Sequence, residues 1–427
     1  MDPTEVPLET IRELSDALVE LQRPIRVLDA VAWDDSVRAR FFAAGAGSQP
    51  QVDRDYYLQN RALGFDPQSQ IAGFEALRAR ITNQMGDSAV GSLMTSRVDE
   101  YMTVIEMLGA RGTTAFTPLS TGLYGGVNDL THPGGPSLLE LGEIMDDALT
   151  SIADGPWEAP EGRSFDASVA VKILGRRLSS VWGDEQISVI LDDGIVADAA
   201  AGSDYIKLRA DAEFTDRDLR VLEVHEGWVH VATSLNGRRQ PWCTFLGKGT
   251  PSTTVTQEGL AVFSEITTLS STPSRLAKIT RRMHAIGMAA SGATFLDVYR
   301  WFIDEGLDDA NAWTSAVRVF RGSTPTGGPF TKDLVYIRGF LEVYDAMRLA
   351  VRKGLLDRLP LLWVGKLAIR ELGLFSRLTE QGVVARPAIL PPNVSDVSAL
   401  AAWLAFSNLL NRIDLAAMEV ELGSALD

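Results

Sequence analysis

Hydrophobic residues recur every three or four positions along most of the chain, which is the spacing of an amphipathic helix. The first such stretch has apolar residues at Leu8, Ile11, Leu14, Leu18 and Leu21 and stops before a proline. Most of the chain is therefore expected to be helical. The same spacing predicts further helices over residues 29–42, 74–85, 88–108, 138–152, 166–181, 275–282, 293–305, 309–321, 330–349 and 396–422.

The period changes in the middle of the chain. Residues 187–191 (ISVIL) form a short β-branched, apolar run, and residues 205–210 (YIKLRA) alternate between apolar and polar, both typical of strands. Residues 195–199 are expected to form a strand between them. The pattern predicts an α+β fold that is predominantly helical, with a small β-sheet beside the helix that follows it.

A Pro-, Gly- and acid-rich stretch at residues 153–163 is the best candidate for a domain boundary. It separates an N-terminal helical region (1–152) from a core (164–350), and a C-terminal helical region (351–427) follows. Residues 111–137 and 240–254 are rich in Gly, Thr and Pro, which favours loops.

Local signals place the ends of two central helices. Thr215 and Asp218 form a Thr-x-x-acid capping box, which starts a helix near Asp216, and Asn236-Gly237 is expected to end it. Thr256 is expected to cap the next helix, which places Glu258 in the first turn, where the helix dipole favours a carboxylate.

Histidine is scarce, yet His225 and His230, two of the four in the chain, lie within the stretch VLEVHEGWVHV. They are five residues apart, so a regular helix with about 100° per residue separates them by roughly 140°. They can bind one ion only if the helix widens there. A π-bulge is the natural device, and Gly227 inside the motif would ease it.

Neutral imidazole is a good zinc ligand, and a catalytic zinc site commonly has three protein ligands and one open position. Glu226, beside the first histidine, could take a proton from water that the metal acidifies. A bare HExxxH pattern arises by chance in many proteins. Here the apolar flanks indicate a buried helix, and the downstream stretch TQEGLAVFSE provides Glu258, with Glu265 as the alternative ligand or as a partner of a histidine.

Three blocks in order carry a resemblance to a known family: HEGWVH, TQEGLAVFSE and VFRGSTPTGGPFTKDLVYIRG (residues 319–339). They resemble the QEGLA-motif proteins described as modulators of flavohaemoglobin expression, which are similar to the microtubule-associated tyrosine carboxypeptidases. The resemblance is strong over residues 187–346. It implies a zinc metallopeptidase in which His225, His230 and Glu258 bind Zn²⁺ and Glu226 is the general base.

The resemblance also suggests how a substrate would bind. A sheet followed by these two helices resembles the gluzincin class, in which an edge strand holds extended substrate, and residues 205–210 or a neighbouring strand are candidates. A carboxypeptidase needs a cation for the terminal carboxylate of its peptide or protein substrate, a role assigned to Arg321 or Lys332. Tyr336 is assigned to the oxyanion. Each of the three could instead satisfy a buried loop.

Composition narrows the remaining possibilities. A formal charge of −16 argues against nucleic acid as a partner. The single cysteine, Cys243, is expected to be a buried thiol in a reducing compartment, and the N-terminus lacks the features of a signal peptide. No apolar run is long enough to span a bilayer, so the expected location is the cytoplasm. His132, in a His-Pro-Gly turn, is expected to lie on the surface, and His284 is expected to be structural, with a role as oxyanion donor as the alternative.

Two other functions fit the same residues. One is a non-catalytic regulatory protein that retains a structural metal or has none. The other is a metal-dependent hydrolase that acts on a non-peptide amide or ester.

Overall fold

The computed structural model describes residues 6–153, 164–182 and 187–413, apart from residues 194, 196, 197 and 203. The predicted boundary at 153–163 falls outside these residues except for its first position. The division into three regions therefore stays a prediction.

Helices make up the N-terminal third of the described chain. Pro24 follows the first helix as expected, while residues 29–42 form two helices because Asp34 accepts a hydrogen bond from Val37 N and caps the second. Residues 111–137, expected to be a loop, contain a helix. The elements are α1 (Leu8–Gln22), α2 (Val27–Val31), α3 (Asp35–Ala43), α4 (Arg54–Asn60), α5 (Pro67–Met85), α6 (Ala89–Gly109), α7 (Phe116–Tyr124) and α8 (Leu138–Ala153).

The strands lie between α8 and the histidine motif, as the change of period indicates. They are β1 (Phe165–Asp166), β2 (Ser188–Asp192), β3 (Ala199–Ala201), β4 (Tyr205–Arg209) and β5 (Glu213–Phe214), with helix α9 (Ala167–Trp182) after β1. β4 pairs in parallel with β2 and antiparallel with β3, so the order is β2-β4-β3, and β1 pairs separately with β5.

The rest of the described chain is again helical. After α10 (Asp216–Leu222) come a π-helical segment (Glu223–Val231) and α11 (Ala232–Arg238). The remaining helices are α12 (Pro251–Thr267), α13 (Pro273–Ala290), α14 (Phe295–Asp304), α15 (Asp309–Phe320), α16 (Val335–Arg352), α17 (Leu372–Glu380), α18 (Pro392–Ser395) and α19 (Val397–Leu410). Short 3₁₀ segments cover Thr244–Gly247, Thr331–Leu334, Leu356–Trp363 and Ile369–Glu371.

One large hydrophobic cluster connects the ends of the described chain with its centre. It runs from Val6 through the motif residues Val224 and Val229 to Leu404, so the histidine motif is packed in the core rather than on the surface. None of the described helices has both the length and the apolar character needed to cross a membrane.

Candidate metal centre

The helix that carries both histidines begins where the sequence predicts. Thr215 Oγ1 accepts from Asp218 N at 3.1 Å, and Thr215 N donates to the Asp218 carboxylate at 2.8 Å, which completes the capping box. Beyond Leu222 the helix widens into the π-helical segment without a break. The predicted wide turn is confirmed, but it extends over nine residues rather than forming a one-residue bulge.

Gly227 has a packing role inside this segment. A Cβ built there would lie 2.3 Å from Leu178 Cδ2, so the absent side chain allows α9 to approach the π-helix closely. Gly237 is similar, since its Cβ would lie 2.2 Å from Leu246 O. The prediction that Asn236-Gly237 ends the helix is wrong: α11 continues to Arg238, and the buried Asn236 side chain donates to the carbonyls of Trp363 and Ile389.

The helix that carries Glu258 begins earlier than predicted. α12 starts at Pro251 with Thr250 as its cap, so Thr256 is not an N-cap and Glu258 lies in the third turn. The helix dipole therefore does not account for this carboxylate. Two glycines place it instead: Gly259 of α12 meets Gly339 of α16, and a Cβ on Gly259 would lie 2.1 Å from Gly339 O. The crossing brings Glu258 next to the start of α16.

The three predicted ligand side chains converge. Glu258 Oε2 lies 3.3 Å from His225 Nε2 and 3.6 Å from His230 Nε2, and one ligand atom from each residue lies within 4.8 Å of the others. Zinc bonds of about 2.0–2.1 Å at tetrahedral angles would separate neighbouring ligand atoms by about 3.3–3.4 Å. Glu258 Oε2 is buried, and among the described residues it has no hydrogen-bond partner of acceptable geometry. The donor set and spacing therefore fit a zinc ion.

A second carboxylate fixes the orientation of His225. His225 Nδ1 lies 2.7 Å from Glu265 Oε1, and Glu265 is fully buried. Because an ionised carboxylate only accepts, Nδ1 carries a hydrogen, and Nε2 is the nitrogen that faces Glu258 and remains for a metal ion. Arg275 of α13 pairs with both Glu265 oxygens at 2.6 and 2.7 Å. Of the two roles that the sequence allowed for Glu265, the geometry places it as the histidine's partner.

The buried acidic and basic groups of the cluster shift one another's pKa values. Burial alone would lower the pKa of His225, but Glu258 and Glu265 raise it well above its usual value. Burial would raise the pKa of Glu258, yet Lys332 and the two histidines hold it well below its usual range. Burial would also raise the pKa of Glu265, but Arg275 lowers it to about 2. Both carboxylates are thus ionised.

Glu226 connects the cluster to the sheet. One of its oxygens accepts from the backbone N–H of Ala201 in β3 at 3.1 Å. β3 pairs only with β4 among the described residues and is an outer strand, whereas β4 is central. Residues 205–210 are thus not an edge for substrate, whereas the neighbouring strand β3 is an outer strand and lines a cavity together with both histidines.

The other three predicted site residues surround the same space. Lys332 Nζ lies 3.4 Å from Glu258 Oε1, and the Tyr336 ring centroid lies 6.4 Å from that of His225. Arg321 is buried, and one of its terminal nitrogens lies 3.6 Å from Asp333 Oδ1, while its Nε has no hydrogen-bond partner in the part of the chain that the structure describes. Burial and the neighbouring Arg318 lower the pKa of Arg321 to about 10.

Two cavities meet at the cluster. One, of about 480 Å³, is lined by the three candidate ligands together with Arg321 and β3. The other, of about 450 Å³, lies between α10, α13 and α15 and is lined by Arg282 and Arg318. His225, Glu226 and Tyr336 line both cavities. The group that would act as a base is therefore accessible from either side.

Besides Arg275, sequence reasoning assigned no role to three further cations of this region. Arg318 pairs with both oxygens of Asp333 at 2.7 and 3.0 Å, and Arg282 lies over the Tyr336 ring at 5.6 Å. Lys366 hydrogen-bonds the His230 carbonyl from beyond the predicted core; burial lowers its pKa to about 7, and Glu258 and Glu226 oppose that shift. The third sequence block contains Asp333 but neither Arg282 nor Lys366, so only the fold could bring them here.

The structure agrees with the expectations for Cys243, His132 and His284. Cys243 is buried, and burial raises its thiol pKa to about 12, as befits a structural residue. His132 is exposed on a turn, and His284 stacks on Trp301 with ring centroids 4.8 Å apart.

No curated protein matches the chain. Residues 39–412, most of its length, match the family described as microtubule-associated tyrosine carboxypeptidase. That match includes the helices that carry His225, His230 and Glu258 and the start of α16 beside them. The chain therefore belongs to the microtubule-associated tyrosine carboxypeptidase family.

Proposed function

We propose that the protein is a zinc-dependent metallopeptidase that acts as a carboxypeptidase on a peptide or protein C-terminus. The observation that carries the proposal is the convergence of His225 Nε2, His230 Nε2 and Glu258 Oε2 around one point, with the Glu258 oxygen buried and otherwise unpartnered. Membership of a carboxypeptidase family supports the reaction type.

The roles follow from position. A zinc ion bound by the three ligands would acidify a water molecule and polarise the scissile carbonyl. Glu226 accepts the proton of the attacking water and returns it to the leaving amine, and the Ala201 N–H holds the carboxylate in place. Tyr336 donates a hydrogen bond to the oxygen on which charge develops. Glu265 accepts the hydrogen bond from His225 Nδ1, so that Nε2 is the nitrogen that would bind the metal.

Arg321 is the better of the two candidates for the terminal carboxylate. Lys332 is already engaged with Glu258, whereas Arg321 has a buried Nε without a partner. The acid nearest to Arg321 is Asp333, which Arg318 holds through two shorter bonds. A planar guanidinium that shares Asp333 with Arg318, in the cavity that holds the ligands, suits a substrate's carboxylate.

The outer strand β3 would hold the substrate backbone. Ala199, Ala200 and Ala201 line the same cavity as the ligands, and small side chains leave room for a peptide beside them. Pairing along that edge would align the chain with Glu226, which already contacts the strand.

The test is to incubate zinc-loaded protein with a peptide library in two forms, one with free C-termini and one with C-terminal amides, and to identify products by mass spectrometry. We expect loss of single C-terminal residues from the free acids and little turnover of the amides. No hydrolysis by protein that contains stoichiometric zinc would contradict the proposal.

The role of Arg321 has its own test. Arg321→Met should raise KM for free-acid peptides at least about tenfold, since a charge-assisted bond is worth roughly 1.5–3 kcal/mol. Arg386→Met, which removes an exposed arginine, should leave KM unchanged. An unaltered KM in the Arg321 variant would refute that role.

A further inference from the structure

A segment from the C-terminal part of the chain is fastened to both ligand-bearing helices. We call residues 363–369 the strap. Trp363 Nε1 donates to the Trp228 carbonyl of the π-helical segment at 3.0 Å, and Ile369 N donates to Thr256 Oγ1 of α12 at 2.8 Å. Between these two points Lys366 reaches both helices at once. The strap lies outside the region in which the sequence placed the catalytic core.

The ammonium group of Lys366 has a complete set of acceptors. Its Nζ lies 3.0 Å from the His230 carbonyl, 3.0 Å from Thr233 Oγ1 and 2.7 Å from Gln257 Oε1. An ammonium carries three hydrogens, so each is matched to one oxygen. Within the described part of the chain, no carboxylate forms an ion pair with it, which distinguishes Lys366 from Lys332 and Arg275.

Each acceptor belongs to an element that bears a ligand. His230 supplies its own carbonyl, and Thr233 lies three residues further along the same helix. Gln257 directly precedes Glu258 on α12 and also accepts from Thr233 Oγ1 at 2.7 Å. The Lys366 head group therefore joins the residue that bears the second imidazole to the neighbour of the third ligand.

We propose that Lys366 is a positioning residue of the metal centre, whose three hydrogen bonds hold the His230 helix and the Glu258 helix at the separation that one metal ion requires. The inference rests on the proposed function and deepens it. It also gives Gln257 of the QEGLA motif a role, because its amide oxygen accepts a hydrogen bond from Lys366.

We expect Lys366 to affect the geometry of the metal centre more than its charge. The π-helical segment departs from regular helical hydrogen bonding, and donors from the strap satisfy the Trp228 and His230 carbonyls within it. Without Lys366, the His230 and Glu258 helices would lose the hydrogen bonds that join them through the lysine, while the Thr233–Gln257 hydrogen bond would remain. The ion would then bind less tightly even though all three ligands remain, as happens when outer partners of ligands are removed.

The test measures zinc affinity by competition with a chromophoric chelator in the full-length protein. Lys366→Met keeps the length of the side chain and removes its donors, and we expect zinc affinity to fall about 10- to 100-fold. Lys248→Met removes a lysine at the end of a 3₁₀ segment and should leave affinity unchanged.

The visible spectrum of the cobalt-substituted protein reports coordination geometry. It therefore distinguishes positioning of the ligands from a role of Lys366 in stability alone. A changed spectrum in folded Lys366→Met supports positioning, whereas a lowered melting temperature with wild-type spectrum and affinity overturns it. Gln257→Met breaks the same contact from the other side and serves if the lysine variant does not fold. Because both substitutions remove the Lys366–Gln257 hydrogen bond, their effects on zinc affinity should be less than additive in the double variant.

Failure of the inference differs from failure of the proposed function. If the wild-type protein binds no zinc, the proposed function fails. If the wild type binds zinc and loses it in His230→Ala, while both Lys366→Met and Gln257→Met retain full affinity and spectrum, only the role of Lys366 is refuted.

Discussion

At the scale of residues, the site depends on polar groups whose partners fix their orientation and their ionisation state. Glu265 determines which nitrogen of His225 carries hydrogen, and Arg275 keeps Glu265 ionised. Glu226 is held at one oxygen by Ala201 and is only half-buried, which suits a base that must meet water. Each role can be tested by a change of very few atoms.

Glu226→Gln should separate metal binding from catalysis. The variant keeps the shape of the side chain but cannot accept a proton, so peptide hydrolysis should fall on the order of 10²- to 10⁴-fold. Zinc content, measured by elemental analysis, should match the wild type. Glu75→Gln, an exposed change on α5, is the control; retention of full activity in the Glu226 variant would refute the assignment of the base.

Asp333 should contribute to stability in a way that depends on pH. Burial would raise its pKa, but Arg318, Arg282 and Arg321 hold it far below its usual value. Its stabilising effect is therefore complete above the unfolded pKa of about 3.9 and is lost as pH falls towards the folded value. Asp333→Asn should cost about 3–5 kcal/mol at pH 7, because it leaves buried arginines unpaired.

Urea unfolding at several pH values measures this effect. The difference between wild type and Asp333→Asn should begin to shrink below about pH 4. Asp345→Asn, which removes an exposed partner of Arg348, should change stability little at any pH. A difference that stays constant down to pH 2 would contradict the pairing.

At the scale of elements, glycine decides where the ligand-bearing helix lies. α12 and α16 cross at Gly259 and Gly339, where neither helix has room for a Cβ. The close approach places Glu258 one residue from the contact and beside Lys332, just before α16. Helix propensity would favour alanine at both positions, so the glycines are explained by packing.

Gly259→Ala should force the two helices apart. We expect a loss of roughly 1–3 kcal/mol or more in the free energy of unfolding, as for overpacked sites, together with weaker zinc binding. Gly373→Ala in α17 meets nothing closer than 4.0 Å and should be neutral or stabilise by about 0.5–1 kcal/mol. Chemical denaturation measures the free energy of unfolding of both variants. Equal values would refute the close approach of α12 and α16 at Gly259.

At the scale of the whole molecule, the candidate site joins distant parts of the chain. The histidines, Glu258, Lys332 and Lys366 come from four separate segments, all packed in or against one hydrophobic cluster. An ion bound there would link α12 to the π-helical segment in the native state only. Zinc should therefore stabilise the fold through linkage.

Thermal unfolding should report that linkage. A free zinc concentration of 100 times Kd should add about 2.7 kcal/mol, seen as a rise in melting temperature that chelator reverses. His230→Ala should abolish the rise, while His284→Ala, which only removes stacking on Trp301, should retain it. A zinc-dependent rise that persists in His230→Ala would place the ion elsewhere.

The sequence alone indicated the candidate ligands and the class of the fold. Residue types and spacing singled out His225 and His230, with Glu258 or Glu265 as a third candidate, required a widened helix between the histidines, and indicated a small sheet before a capped helix. The widened helix, the cap and the sheet are confirmed because they depend on local geometry: the angle per residue in a helix, a capping box, and the alternation of a strand.

Only the tertiary structure decided how those parts are held. It placed Glu258 in the middle of α12, made β3 rather than residues 205–210 the edge beside the site, and brought Arg282 and Lys366 to it. Such features depend on which helices cross and where backbone can approach backbone, as at Gly259 and Gly339. No local pattern encodes a contact between residues more than a hundred positions apart, so Lys366 could be recognised only where the chain had already folded around His230.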